Sequence, residues 1–228
     1  DLMFSGSFVA IVTPMRPDGS IDYDAWSRLI DLHLASGTRG IIVAGTTGES
    51  PSVDDGEVAE LVLRAKRQIA GRMVLMAGAG QNSTAATVER ARAVSALGVD
   101  ALLVVTPAYN KPTQAGLYLH YAAVAAASAV PVMLYNVPGR TAVDLSPDTV
   151  ARLAAVPRIA AIKEAVADLA RIRELLAKAP GIDVLSGGDA TAREAVLAGA
   201  KGVVSVTANV APRSEEHTSE LQSRLHLV

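Results

Sequence analysis

Lys163 is the only cation in the run IAAIKEA (159–165), among small and branched apolar residues. Read as a strand, the run turns Lys163 and Glu164 to opposite faces. The lysine is then either a side chain snorkelling from a strand end or paired with a carboxylate, or a reactive amine. In the second case apolar surroundings disfavour its charge and keep it partly neutral. Further polar groups gather at the ends of similar runs. GTTGES (45–50) sets the hydroxyls of Thr46 and Thr47 between two glycines. This is either a cradle for a carboxylate or phosphate, or a Thr/Ser-rich loop leading into a capped helix. TPAYNKP (106–112) presents Tyr109 on a proline-bounded loop, and YNVPGRT (135–141) supplies Tyr135 and Arg140. The arginine fork suits a carboxylate, with a surface ion pair as the other reading. A lysine, two tyrosines, two threonines and an arginine, without metal ligands or an acidic pair, point to imine chemistry on a carbonyl substrate. Hydroxyls in a chain would move the protons that imine formation requires. His33 and His120 fall within helical patterns and read as structural.

Elements that could bring these groups together recur with a regular beat. Short apolar runs occupy 7–14, 40–45, 74–80, 101–107, 131–137, 159–165, 183–189 and 202–210. Their length, branched residues and flanking Gly or Pro predict buried parallel strands. Between them lie segments with apolar residues three and four apart, such as DYDAWSRLIDLHLAS and EVAELVLRAKRQIA. Ser52, three before Asp55, is the expected cap of the second long helix, and Asn82 or Ser83 that of the third. Alternating strands and helices make either an open doubly wound sheet or a closed barrel. No G-x-G-x-x-G follows the first strand, and polar residues follow many different strands. The expected fold is therefore an α/β (β/α)8 TIM barrel with its site at the carboxyl ends of the strands.

Composition narrows the function class. Of 228 residues half are hydrophobic, 4% are aromatic, none is cysteine, and the formal charge is -2. Thiolate metal sites, disulfides and a cysteine nucleophile are thereby excluded. Without a basic block, nucleic acid is not expected as a partner. No leader or membrane span is read from the sequence, so a cytoplasmic protein is expected.

GTTGES, TPAYNKP, YNVPGRT, IKEA and SVTANV, in this order, resemble the dihydrodipicolinate synthase family within the pyruvate-dependent lyases, from about Met3 to Pro212. The resemblance implies condensation of pyruvate with L-aspartate 4-semialdehyde to 4-hydroxy-tetrahydrodipicolinate, in the diaminopimelate route to lysine. It implies no cofactor beyond the covalent imine formed with pyruvate. By position, Lys163 would form that imine and Tyr135 would act as general acid and base. Thr46 would link Tyr135 to Tyr109, which reaches in from the neighbouring subunit of a homodimer or homotetramer. Thr47 would hold the pyruvate carboxylate, Arg140 that of the semialdehyde, and Val204 would contact the pyruvate unit through its backbone. Arg140 and the double threonine separate this reading from sister aldolases of N-acetylneuraminate or 2-keto-3-deoxy sugar acids. Tyr109 separates it from a non-catalytic keto-acid sensor.

Two departures from the family pattern stand out. Gly188 in SGGD takes the place of an acid. Ser50 and Asn82 match the effector pocket of lysine-inhibited members, but Asp55, Val58, Ala86 and Ala108 replace its other donors, so weak or absent lysine feedback is expected. The end of the chain also changes character. Residues 213–228 hold no alanine or glycine and two of the four histidines. They resemble a translated sequencing adapter rather than a native helix, and the barrel is read as residues 1–212, truncated after its eighth strand. Strands one, seven and eight are then expected to expose an apolar outer face, leaving the chain unstable or prone to aggregation.

Overall fold

Residues 3–213 are described by the computed structural model. All eight apolar runs become strands: β1 (Gly6–Ala10), β2 (Gly40–Val43), β3 (Val74–Gly78), β4 (Ala101–Val105), β5 (Val132–Asn136), β6 (Ile159–Glu164), β7 (Asp183–Ser186) and β8 (Gly202–Ser205). They pair in parallel in sequence order, and β8 returns to β1 to close the barrel. The doubly wound alternative is thereby removed. Each strand stops short of the run that predicted it, because the last residues of each run leave the ladder to build loops at the barrel mouth.

The helices are α1 (Tyr23–Ser36), α2 (Asp55–Ile69), α3 (Thr84–Ala96), α4 (Gln114–Ala127), α5 (Pro138–Thr141), α6 (Pro147–Leu153), α7 (Leu169–Lys178) and α8 (Ala192–Leu197). The cap of α2 corrects the sequence expectation. Asp54, not Ser52, accepts from the Glu57 N–H, and the Glu57 carboxylate accepts from the Asp54 N–H in return. Ser52 instead lies in a single 3-10 turn, Ser50–Ser52, where its backbone is already curled. Ser83 caps α3 as expected. No described helix is long and apolar enough to cross a membrane.

Strand alternation divides the core in two. Phe8, Ile42, Met76, Leu103, Met133, Leu185 and Val204 fill the barrel interior. Val9, Ile41, Leu102, Leu134, Ile162 and Val184 face outward to the helices. Gly40 makes room for the Phe8 ring, since a Cβ there would come within 2.7 Å of it. The expected open face on β1, β7 and β8 is not found among the described residues: Val9, Val184 and Val203 are buried. Ala192 and Val196 of α8 cover Val203. Exposed apolar side chains occur instead at Val206 and Val210, beyond β8. Of the tail read as residues 213–228, all but Arg213 lie outside the described residues.

Candidate active site

Lys163 and Tyr135 are direct register partners on β6 and β5. Both point into the barrel, where 3% and 5% of their surfaces stay exposed. The amine stands 4.3 Å from the centroid of the Tyr135 ring. A β-bulge sets this orientation. The register between β5 and β6 slips after Val132, which pairs with Ile159, so that Met133 pairs with Ala161. Ala160 is the extra residue. Ile159 packs outward and Ala161 inward, although two residues apart on an unbroken strand share a face. The slip therefore turns Lys163 inward and Glu164 outward.

Burial lowers the Lys163 pKa to about 8, opposed by Asp189 and reinforced by the Arg140 charge. A substantial fraction of the amine is thus neutral near physiological pH, as a nucleophile requires. Gly187 makes this position habitable: a Cβ there would lie 2.9 Å from Lys163 Cε and 3.1 Å from its Cγ. Burial also raises the Tyr135 pKa, against a hydrogen bond with Thr46 and the Arg140 charge, so the phenol stays protonated.

Thr46 and Thr47 follow β2 in a tightly wound loop. Ala44 and Glu49 adopt left-handed backbone at φ 50° and 54°, a conformation that costs a non-glycine residue about 1–2 kcal/mol. Thr13 Oγ1 donates to the Gly48 carbonyl at 2.7 Å and pins the loop to the chain after β1. Among the described residues nothing accepts from the N–H of Thr46 or Thr47. Those donors are open to an anion. Arg140 lies exposed on α5, and its cavity of about 300 Å³ is also lined by Thr46, Ser50, Asn82, Thr106 and Thr141. Val204 is fully buried on β8, opposite Phe8.

Lys163, Tyr135 and Thr46 thus meet, with Arg140 close enough to act on both titrating groups. Tyr109 does not join them: it is 92% exposed beyond β4. Asp189 was missed by sequence reasoning. Its carboxylate accepts from the N–H and Oγ1 of Thr207 at 2.8 and 2.7 Å, tying the β7 and β8 loops together beside the amine. Its signal in the sequence is the acid that SGGD retains beside Gly188. His33 and His120 are buried outside the site and bond Thr38 and Thr84. Burial lowers both to about 4. No group of metal ligands occurs among the described residues.

A closed parallel barrel with polar side chains gathered at the carboxyl ends of its strands has the architecture of the (β/α)8 enzymes. Comparison with known proteins narrows this. The dihydrodipicolinate synthetase family matches residues 3–223, and the chain belongs to that family. It is 53% identical over 213 residues to the 4-hydroxy-tetrahydrodipicolinate synthase of Ectopseudomonas mendocina, covering 93% of this chain and 73% of that protein. Among solved structures it resembles the chloride-inhibited dihydrodipicolinate synthase of Acinetobacter baumannii complexed with pyruvate. There the TM-score is 0.93 at 44% identity, with 97% of this chain and 78% of the other covered. The enzyme of Cyanidioschyzon merolae with lysine bound matches at a TM-score of 0.90 and 35% identity, over 99% and 80% of the two chains.

Proposed function

We infer that the chain condenses pyruvate with L-aspartate 4-semialdehyde to 4-hydroxy-tetrahydrodipicolinate, in lysine and diaminopimelate biosynthesis. Its relatives carry that synthase activity in their names, and the sister-aldolase alternative is not favoured. The observation that carries the residue assignment is the buried Lys163 amine, lowered to about 8 beside the Tyr135 phenol.

Neutral Lys163 Nζ attacks the keto carbon of pyruvate, and the carbinolamine loses water as Tyr135 delivers a proton to the departing hydroxyl. Thr46 passes protons to and from Tyr135. Thr47, with the open N–H groups of its loop, takes the pyruvate carboxylate, and the Val204 backbone borders the same unit. Loss of a methyl proton makes the enamine, whose carbon adds to the aldehyde carbon while the new alkoxide is protonated. Arg140 holds the semialdehyde carboxylate with its fork. The substrate amine then attacks the imine carbon and expels Lys163, which closes the ring and restores the free enzyme. No cofactor takes part in this sequence. Tyr109, exposed in one chain, enters the site of a second copy in a homodimer or homotetramer that works in the cytoplasm.

The test is a coupled assay of pyruvate with aspartate 4-semialdehyde, together with borohydride trapping of the pyruvate adduct. Turnover and a reduced adduct on Lys163 are expected, with weak or no inhibition by added lysine because Asp55, Val58, Ala86 and Ala108 replace the donors and the ring that would hold it. An adduct on another lysine, or turnover that survives Lys163→Met, would overturn the assignment. Tight binding of lysine, measured by calorimetry, would overturn the feedback reading alone.

A further inference from the structure

Behind the site, on the outward face of the same two strands, Asn136 ends β5 and Glu164 ends β6 as register partners. Both are buried, with 0% and 1% of their surfaces exposed. The chain leaves β5 at Val137, runs through α5 with Arg140, and returns at Asp144. Asn136, where the excursion begins, holds its returning arm. Its Oδ1 accepts from Leu145 N at 2.9 Å, and its Nδ2 donates to Asp144 Oδ1 at 2.9 Å. The second N–H of the same amide faces the Glu164 carboxylate, at 3.1 and 3.0 Å from its two oxygens. Val166 N donates to Glu164 Oε1 at 2.9 Å, and Arg171 Nη2 donates to Asp144 Oδ2 at 2.6 Å.

A side-chain amide offers two N–H donors and one carbonyl oxygen, and here all are engaged. Two carboxylates and a backbone N–H converge on one side chain, and asparagine meets all three. Aspartate would add a third carboxylate, and alanine would strip a donor from buried Glu164. None of these groups faces the barrel interior. We propose that Asn136 is a positioning residue that closes the base of the Arg140 loop and fixes it to the strand carrying Lys163, thereby placing the second, carboxylate-bearing substrate. This rests on the reading of Arg140 given above.

The test is steady-state kinetics of the full chain with Asn136→Ala, Arg140→Leu and the double substitution. Asn136→Ala is expected to raise KM for aspartate 4-semialdehyde about tenfold or more, since small misplacement of a substrate-holding group is costly. In Asn136→Ala, KM for pyruvate and the rate of borohydride trapping should stay within about twofold, because the Arg140 charge that acts on Lys163 and Tyr135 is retained and only the aim of its fork is lost. In the Arg140→Leu background the Asn136 substitution should add nothing further to KM, as expected for residues acting through one contact. Should Asn136→Ala fail to fold, Asp144→Ala, on the 42% exposed loop side of the clamp, must show the same split. If KM rises equally for both substrates, or the two substitutions add while Arg140→Leu alone is effective, the positioning role is overturned. If Arg140→Leu leaves KM for the semialdehyde unchanged, the reading of Arg140 falls first and this inference with it.

Discussion

Burial holds Lys163 at about 8 although Asp189 pulls the other way. An ordinary lysine stands at 10.5, so between pH 8 and 10.5 the unfolded chain binds the proton that the folded chain has released. Stability therefore rises with pH across that window, and the cost of the buried ammonium is fully present below it. Lys163→Met should abolish activity yet raise stability at pH 7 by on the order of 2 kcal/mol. The gain should fade above pH 10.5, the ordinary lysine value. Chemical denaturation at pH 7 and 10.5 would check this, and a destabilised variant at pH 7 would contradict the buried charge. Imine formation in the parent should likewise quicken as pH rises through about 8 and the ammonium loses its proton.

Elements carry consequences that single residues do not. On α3, Arg90 is only 9% exposed, and its Nε and Nη2 have no hydrogen-bond partner among the described residues. The nearest carboxylate, Asp55 on α2, stands 3.4 Å from Nε and is itself 85% exposed. A buried guanidinium paired this loosely recovers little of its lost hydration. Arg90→Met, which keeps an apolar stem against the neighbouring helix, is expected to stabilise the chain by about 1 kcal/mol or more. A lower thermal midpoint in that variant would mean that the Asp55 contact outweighs the desolvation.

At the scale of the whole molecule, the role proposed for Tyr109 in the site of a second copy yields a complementation prediction. The 92% exposure of Tyr109 suits a side chain used by a second copy. Tyr109→Phe and Lys163→Met should each be inactive or nearly so as pure proteins. After co-refolding, mixed dimers would pair an intact Lys163 in one subunit with an intact Tyr109 from the other. A random mixture should recover about a quarter of parental activity, since half the dimers are mixed and each has one complete site of two. No recovery, with mixed dimers demonstrated by sedimentation or mass spectrometry, would place Tyr109 in the site of its own chain.

Strand count and the barrel were legible from residue order, as was the convergence of Lys163, Tyr135 and Thr46, whereas Asp189 and Gly187 beside the amine were not. Apolar runs of strand length and glycine-marked loops are local signals, and the family motifs are contiguous. Helix caps were less so: Ser52–Asp55 and Asp54–Glu57 both satisfy the spacing, and only the backbone turn at Ser50–Ser52 chooses between them. Tertiary structure alone decided three things. The slipped register at Ala160 aims Lys163 inward, because side-chain direction depends on pairing with β5 and not on the alternation of β6 itself. Asp189 and Gly187 come to the amine from the loop after β7, which only the parallel pairing of β6 with β7 brings beside Lys163. The Asn136 clamp joins positions 136, 144 and 164, whose hydrogen bonds depend on where distant backbone segments end up in space.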